Sequence, residues 1–306
     1  MAFELEDRWV WDFWIAEHRD TYHLFYLQAP RSLGDASLRH DHATIGHATS
    51  TDLMTWTDLG TVLEAGFPGE WDDISTWTGS VIEHEGRWWM FYTGRSALEK
   101  GRVQRIGAAV SNDLNLWIKH PSNPLLSSHP FWYNHGDKRS RSTVAWRDPW
   151  VYPVEDGFEM LITARINEGH AADRGVIARA YSNDLSLWTA LSPLTEPGGF
   201  VQMEVPQLVP WGSGHLLLFS CQRSLLSSKK ARERATSDCY ALELDRSGAP
   251  YSTADVIPLD TPNLYGVRIV RGPEGDWLLL GFELKDESGN FPGRISDPIP
   301  FDSVLA

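Results

Sequence analysis

The sequence of 306 residues predicts an all-β fold, a five-bladed β-propeller that residues 1–306 form as a single domain. Two repeated patterns of short strands and turns carry this prediction. A third observation agrees with it, because no sustained i, i+3, i+4 apolar spacing with caps favours helices. A two-sheet sandwich is the structural alternative, but sandwiches do not repeat their sequence at a period of roughly 60 residues.

One pattern occurs three times: a strand of small residues is followed by a Ser-x-Asp turn and then by a Trp. Ser and Asp side chains bond to nearby backbone groups and so close a turn. We expect the Trp after each turn to fill the space between neighbouring sheets. The three copies are Ile45–Trp56, Ile106–Trp117 and Ile177–Trp188.

A second pattern occurs five times: a turn residue introduces an apolar strand. Five copies predict five blades of four strands each. Longer polar segments between the copies, such as Arg31–Thr44 and Ser127–Ala145, are expected to be loops over one face, often the binding face. The turn residues are Asp20, Gly86, Gly157, Gly214 and Gly275, and the strands are Tyr22–Tyr26, Trp88–Tyr92, Phe158–Ile162, Leu216–Phe219 and Trp277–Leu280.

Composition excludes several classes of partner. The net charge of −14 repels phosphate backbones and acidic membranes, so we expect no nucleic acid and no membrane as a partner. The basic stretch Lys229–Arg234 is short, and a solvated loop explains it. Cys221 and Cys239 do not make a disulfide framework and are expected to be free thiols. The acidic start, Met1–Asp7, lacks a signal-peptide pattern, which predicts a soluble, cytoplasmic protein.

Carboxylates recur where the first strand of each blade is expected to begin. Because the innermost strands of a propeller line its central channel, these side chains would meet at the channel mouth. Glycoside hydrolysis needs one carboxyl group to protonate the leaving oxygen and one to attack the anomeric carbon or activate water. The alternative is that they are ordinary turn or capping residues, but three carboxylates in equivalent positions favour catalysis. The five positions are Asp12, Thr78, Asp148, Glu204 and Tyr265–Gly266.

Four segments in order resemble the motifs of glycoside hydrolase family 32, the invertase and fructanase type of β-fructofuranosidase, over about residues 8–225. Tyr22–Tyr26 followed by Ile45–Trp56 resembles the opening of that family. Trp77–Ser80 resembles its Phe-Ser-Gly-Ser motif, Trp146–Pro149 its Arg-Asp-Pro motif, and Met203–Pro206 its Glu-Cys-Pro motif. The resemblance implies a five-bladed propeller related to those of families 43 and 68.

The resemblance also implies roles for single residues. Asp12 would be the nucleophile, Glu204 the general acid/base and Asp148 the transition-state stabiliser. Arg147 would orient Asp148 and contact the substrate. The residues implied beside the sugar in the innermost subsite are Trp77 and Thr78.

The sequence departs from the family pattern at its first motif. Trp9–Ile15 keeps the Asp of Trp-Met-Asn-Asp-Pro-Asn-Gly and loses both Asn residues, which help shape the fructose pocket. Val205 replaces the Cys of Glu-Cys-Pro, and nothing after Phe301 could form the β-sandwich that family members usually carry. We expect an exo-acting glycosidase on a small oligosaccharide or glycoside, with fructofuranosides first. The alternatives are an inverting arabinofuranosidase or xylosidase like family 43, a fructosyl-type transferase, and a non-catalytic sugar-binding propeller.

Other pocket candidates are aromatic or polar. Trp71, like Trp77, would stack on a sugar face or pack between blades, and Trp11 precedes Asp12. His40 and Asp41 are candidates for the pocket rim. The spacing of His40, Asp41 and His42 has no specific metal geometry, so no metal is expected. No phosphate-binding loop or nucleophile elbow occurs, so no cofactor is expected either.

Overall fold

The computed structural model of the chain describes residues 2–135, 143–227, 235–245 and 249–305. The basic stretch Lys229–Arg234, predicted to be a solvated loop, lies outside the described residues. The predicted loop Ser127–Ala145 lies only partly within them. Cys221 and Cys239 are buried and carry free thiols, as predicted.

Five antiparallel sheets follow one another along the chain, and the innermost strand of each contacts the innermost strand of the next until the fifth contacts the first. The predicted five-bladed propeller is therefore confirmed. Blade 1 has β2 (Arg8–His18), β3 (Thr21–Pro30), β4 (Thr44–Ser50) and β5 (Thr57–Leu63); blade 2 has β6 (Ser75–His84), β7 (Arg87–Arg95), β8 (Gln104–Ser111) and β9 (Ile118–Lys119); blade 3 has β10 (Trp146–Val154), β11 (Gly157–Arg165), β12 (Gly175–Ser182) and β13 (Thr189–Leu191); blade 4 has β14 (Glu204–Trp211), β15 (Gly214–Ser220), β16 (Cys239–Leu244) and β17 (Ile257–Pro258); blade 5 has β18 (Leu264–Arg271), β19 (Trp277–Glu283), β20 (Arg294–Ile295) and β21 (Ile299–Pro300).

The fifth blade closes the ring with both ends of the described chain. Strand β1, Phe3–Glu4, pairs with β20, so a segment from the start of the sequence completes the last sheet. Phe3 is buried against Tyr26 of blade 1, with ring centroids 4.9 Å apart. This strand ties the last blade to the first, and the repeats did not reveal it.

Helices contribute little among the described residues, where only short 3₁₀ turns occur and no α-helix does. None of the helices there is long and apolar enough to cross a membrane. The 3₁₀ segments are Arg31–Leu33, Ala36–Asp41, Ala171–Asp173, Arg223–Leu225, Thr253–Asp255 and Phe301–Ser303.

The Ser-x-Asp turns close as predicted. Ser50 Oγ accepts from the amide of Leu53 at 2.9 Å, and Asp52 Oδ1 accepts from Met54 and Thr55 at 2.8 and 2.7 Å. The same side-chain-to-backbone bonds recur around Asp113 and Asp184. Each carboxylate thus caps two amides that would otherwise lack a partner.

The Trp after each turn packs against the preceding blade, which confirms the predicted inter-sheet role. Trp117 of blade 2 meets Phe25 of blade 1 edge-on, with ring centroids 5.6 Å apart. Trp188 of blade 3 meets Phe91 of blade 2 at 5.4 Å in the same way. Because a large ring buries apolar area from two sheets at once, these contacts stabilise the junctions between blades.

Every innermost strand carries a β-bulge, an extra unpaired residue that bends the strand. The strands also begin earlier than the sequence suggested: Asp12 lies in the middle of β2 rather than at its start, and Thr78 and Asp148 are also internal. Bulges re-aim side chains, so this one feature, repeated five times, shapes the channel mouth. The last paired residues before the bulges are Trp11, Trp77, Arg147, Glu204 and Tyr265.

The bulges correct one expectation from the sequence, because the three carboxylates do not occupy one equivalent position. Asp12 and Asp148 are themselves bulge residues, and Asp148 has a left-handed backbone with φ of 58°. Glu204 stands one residue before the bulge, in the position that Arg147 holds in blade 3. Arg147 and Glu204 therefore project from matching positions of neighbouring blades and meet each other.

Two buried histidines in blade 1 make the fold sensitive to acid. His23 Nδ1 and His47 Nε2 lie 2.9 Å apart, and the ring of Phe25 stacks on His47. Burial, then the neighbouring His23, lowers the pKa of His47 to about 4. Burial also lowers the pKa of His23. The folded pKa of His47 thus lies below the unfolded value near 6.5, so the unfolded chain binds more protons between these values.

We expect His47 to cost about 1–2 kcal/mol of unfolding free energy as the pH falls from 7 to 5. Denaturant melts of the wild type and of His47→Gln at both pH values measure this cost. The pH dependence of the wild type must be compared with that of the variant, because the raised pKa of Asp12 acts in the opposite direction over this range in both proteins. Parallel pH dependences of the wild type and the variant would contradict the prediction.

Candidate active site

A pocket opens at the end of the central channel where the five bulges meet. Its cavity volume of about 390 Å³ falls within the range of small-molecule sites. The three predicted acids, Asp12, Asp148 and Glu204, all line it. The other lining residues are Trp11, Leu27, Arg39, His40, Trp77, Gln104, Thr143, Ala145, Arg147, Arg165, Gln202, Val205, Gln222, Tyr265, Phe282 and Leu284.

Asp12 is held by a neighbouring blade. Thr78, the bulge residue of blade 2, donates its hydroxyl to Asp12 Oδ2 at 2.5 Å. Burial, then the nearby charges of Asp148 and Glu204, raises the pKa of Asp12 to about 7, against the lowering effects of Thr78 and Arg268. Thr78 thus lies behind the carboxylate and fixes its orientation.

Asp148 is the most enclosed of the three acids, and two blades hold its carboxylate. Oδ2 accepts from the hydroxyl of Thr163 at 2.9 Å and from the amide of Val205 at 3.1 Å. Its own amide donates to Thr93 Oγ1 at 3.0 Å, which supports the left-handed backbone of the bulge. Burial raises the pKa of Asp148, while the adjacent Arg147 opposes the rise.

Glu204 bridges blades 3, 4 and 5 through both of its oxygens. Arg147 Nη2 lies 2.5 Å from Oε1, and the hydroxyl of Tyr265 donates to Oε2. Arg147 is buried, donates to Gln202 at 2.8 Å and to Gln104 at 3.2 Å, and has its Nε 3.5 Å from Asp148 Oδ2. One guanidinium is therefore shared between two carboxylates, a charge-assisted arrangement that orders both.

One wall of the pocket is aromatic. Trp77 lines it and donates its indole N–H to the carbonyl of His40 at 2.7 Å. The guanidinium of Arg95 stacks on Trp77 at 4.2 Å and pairs with Asp41 at 2.7 Å. Trp11 lies on the other side of His40, with ring centroids 6.0 Å apart. The Trp77 indole and the His40 imidazole thus offer flat surfaces of the kind that stack on sugar rings, whereas Trp11 is only 2% exposed.

Three of the predicted substrate-binding residues are not among those that line the pocket, and one of them is Thr78, which is buried behind Asp12. Trp71 is not among the lining residues; it packs over the small residues Gly94 and Gly107 and against the ring of Tyr92 at 5.5 Å. These surroundings of Trp71 match the alternative expected from the sequence, packing within the fold. Asp41 is exposed, does not line the pocket, and pairs with Arg95, which stacks on Trp77. Among the described residues no cluster of three or more potential metal ligands is found.

Several site residues were missed by the sequence reasoning. Tyr265 stands at the blade-5 position that the repeat singled out, but nothing indicated that its hydroxyl would bond to Glu204. Gln104 and Gln202 carry no motif of their own, although Gln202 lies two residues before Glu204. Arg39 and Arg165 add two further guanidinium groups to the lining.

This arrangement can perform acid–base and nucleophilic chemistry on a neutral ring. Three carboxyl groups converge on the floor, and two of them pair with the buried Arg147. Carboxyl groups placed on one sugar-sized pocket floor are what hydrolysis of a glycosidic bond requires.

Comparison with known proteins agrees with this chemistry. The model of the glycosyl hydrolases family 32 N-terminal domain matches residues 13–288. A sucrose-6-phosphate hydrolase of Pediococcus pentosaceus is 25% identical over 270 residues, covering 85% of this chain and 49% of that protein. Among solved structures, fructan 1-exohydrolase IIa from Cichorium intybus superposes with a TM-score of 0.71 at 19% identity, covering 97% of this chain and 56% of that one.

Another similar solved structure is covered over nearly its whole length. The inulosucrase from Halalkalicoccus jeotgali bound to kestose superposes with a TM-score of 0.71 at 20% identity, covering 100% of this chain and 94% of that one. At these identities the solved structures show the shared fold alone. The chain spans about half the length, or less, of the curated relatives that it matches first.

Proposed function

Because the chain belongs to glycoside hydrolase family 32, we propose that it is a retaining, exo-acting glycosidase that removes a terminal β-fructofuranosyl unit from a small oligosaccharide or glycoside. The observation that carries the proposal is the convergence of Asp12, Asp148 and Glu204 on the floor of one pocket. The names of the relatives, a sucrose-6-phosphate hydrolase and β-fructofuranosidases among them, support the sugar.

In the proposed reaction Asp12 attacks the anomeric carbon while Glu204 donates its proton to the leaving oxygen. The bond from the sugar to that oxygen breaks as the ester to Asp12 forms. Glu204, now a carboxylate, takes a proton from water, which attacks the same carbon and releases Asp12. Asp148 accepts hydrogen bonds from sugar hydroxyls, and its charge stabilises the oxocarbenium-like transition state.

The surroundings of Glu204 suit both of its roles. Arg147 stabilises the carboxylate that follows proton donation, and the Tyr265 hydroxyl holds the other oxygen. The Thr78 hydroxyl leaves Asp12 with one oxygen free to attack. The propeller blades carry the acids and the side chains that hold them, which supports a single catalytic domain. The buried free thiols of Cys221 and Cys239 support a reducing, cytoplasmic compartment.

The protonation state of Asp12 makes the rate of the proposed reaction depend on pH. Only the ionised carboxylate attacks, and the pKa of Asp12 in the empty pocket is raised to about 7. We therefore expect kcat/KM, which reports the free enzyme, to fall about tenfold per pH unit below this value. Initial rates from pH 5 to 8 at low substrate concentration measure this decline of kcat/KM at low pH, the acid limb of the pH profile. A flat profile across this range would contradict the assignment of Asp12.

A substrate screen tests the function. Sucrose, sucrose 6-phosphate, 1-kestose and the nitrophenyl fructofuranoside, arabinofuranoside and xyloside are incubated with the protein, and the released sugars are identified. Free fructose from the fructosides is the expected result. Hydrolysis of arabinosides alone would replace the proposed sugar, transfer products at high sucrose would indicate a fructosyltransferase, and binding without turnover would indicate a sugar-binding propeller.

A further inference from the structure

Arg268 is a buried cation directly beneath the pocket. It belongs to β18, the innermost strand of blade 5, and is only 2% exposed. Its Nε donates to the carbonyl of Phe13 at 3.2 Å, and its Nη1 donates to the carbonyls of Val205 and Pro206 at 3.2 and 2.6 Å. A single guanidinium therefore crosses the channel from blade 5 to blades 1 and 4.

The three carbonyls belong to the segments that carry the acids. Phe13 directly follows Asp12, and Val205 directly follows Glu204. The amide of Val205 also donates to Asp148 at 3.1 Å, so the third acid is tied to the same segment. Arg268 thus fixes the bulge of blade 1 relative to the bulge of blade 4, on which the spacing of Asp12 and Glu204 depends.

The charge of Arg268 is retained inside the protein. Burial lowers its pKa to about 10, against the effects of Asp148 and Asp12, so it is protonated at neutral pH. Its Nη2 has no hydrogen-bond partner, and its guanidinium lies 5.0 Å from the centroid of the Trp150 ring. A buried cation with an unmade hydrogen bond is costly unless nearby negative charge compensates. The charged groups that face Asp12 are Asp148 on β10, Glu204 on β14, Arg268 on β18 and Arg39 in the 3₁₀ segment Ala36–Asp41.

We propose that Arg268 is a positioning residue for the paired action of Asp12 and Glu204: it sets their spacing through the backbone and supplies a buried positive charge that favours the carboxylate form of Asp12. The inference rests on the proposed function. Desolvation and the carboxylates of Asp148 and Glu204 oppose the ionised form of the nucleophile, and the Thr78 hydroxyl and Arg268 counteract them.

Two substitutions of Arg268 separate the effect of its charge from the effect of its hydrogen bonds to the backbone. In R268Q we expect the acid limb of kcat/KM to move to higher pH by roughly half a unit or more, because a nearby cation is lost. We also expect kcat to fall about tenfold or more, because the spacing of the acids relaxes. R268K keeps the charge, so its acid limb should stay in place while kcat falls.

The matched control is Gln207→Leu. Gln207 also joins blades 4 and 5, through two 2.8 Å bonds to the backbone of Ile269, but it is uncharged. This variant should lower the melting temperature and leave the acid limb unmoved. A folded R268Q with the acid limb of the wild type would overturn the inference.

A second experiment measures stability and does not depend on catalytic activity. Asp148→Asn removes one of the negative charges that face Arg268, so it should stabilise R268Q relative to its effect on the wild type. The double-mutant cycle of melting temperatures, or of soluble yields if R268Q folds poorly, measures this coupling. Additive effects would overturn the inference. If the wild type hydrolyses no glycoside in the screen, the proposed function fails, and this cycle still decides whether Arg268 is coupled to the acids.

Discussion

Asp12→Asn is expected to lower kcat by about 10³-fold or more and, at the same time, to raise the melting temperature. Asn fills the space of Asp but cannot form the ester with the sugar, so the first chemical step is lost. The stability gain has a separate cause. The folded pKa of Asp12, about 7, lies above its unfolded value of 3.8, so the ionised side chain costs stability once the pH exceeds 3.8.

The size of that stability gain is roughly 4 kcal/mol at pH 7.5, and it should nearly vanish at pH 3. Thermal melts at both pH values and turnover of sucrose measure the two effects on one protein sample. Asp41→Asn is the control, because Asp41 lies near the site but is exposed and pairs with Arg95 instead. An active Asp12→Asn would remove Asp12 as nucleophile, and a lower melting temperature would contradict the charge argument.

Glu204→Gln is expected to lower turnover of natural fructosides by about 10²–10⁴-fold, the usual contribution of a general acid/base. The loss should depend on the leaving group. A nitrophenolate leaves without protonation, so the first step on a nitrophenyl fructoside should persist while the second step, which needs the base, becomes slow. Pre-steady-state measurements should then show a burst of nitrophenol followed by slow release of fructose.

Glu159→Gln is the matched control for this variant. Glu159 also accepts from a tyrosine, Tyr152 at 2.7 Å, and has an arginine, Arg179, at 4.0 Å, but it is not a pocket residue. It should keep full activity. Equal losses for natural and nitrophenyl substrates in Glu204→Gln would argue against proton transfer by Glu204.

Added azide tests the role of Glu204 as the base. Azide attacks the ester on Asp12 without the help of a base, so it should restore release of the sugar from Glu204→Gln.

The sequence was sufficient to predict the blades because the information is local. The Ser-x-Asp turns close on backbone groups two or three residues away, and each following Trp needs only a neighbouring sheet. The pairing of β1 with β20 was not predictable in this way. It joins residues at opposite ends of the sequence, and two residues of strand give no periodic signal.

The acids and Arg147 were found by position, but the other groups that hold the acids were not. These groups lie on other blades: Thr78 donates to Asp12, Tyr265 donates to Glu204, and Arg268 donates to the carbonyl of Val205. Those contacts depend on how five bulges turn their side chains toward one point. A bulge shifts the register by one residue, so counting along the sequence could not distinguish the position of Glu204 from that of Asp148.

In the proposed mechanism a sugar becomes bound covalently to Asp12, and mass spectrometry can detect this intermediate. A Glu204 variant is mixed with a nitrophenyl fructoside and quenched in acid during the burst, and its peptides are sequenced. We expect one added hexosyl unit on the peptide that contains Asp12. Turnover without any adduct, or a hexosyl unit on a different carboxylate, would contradict it.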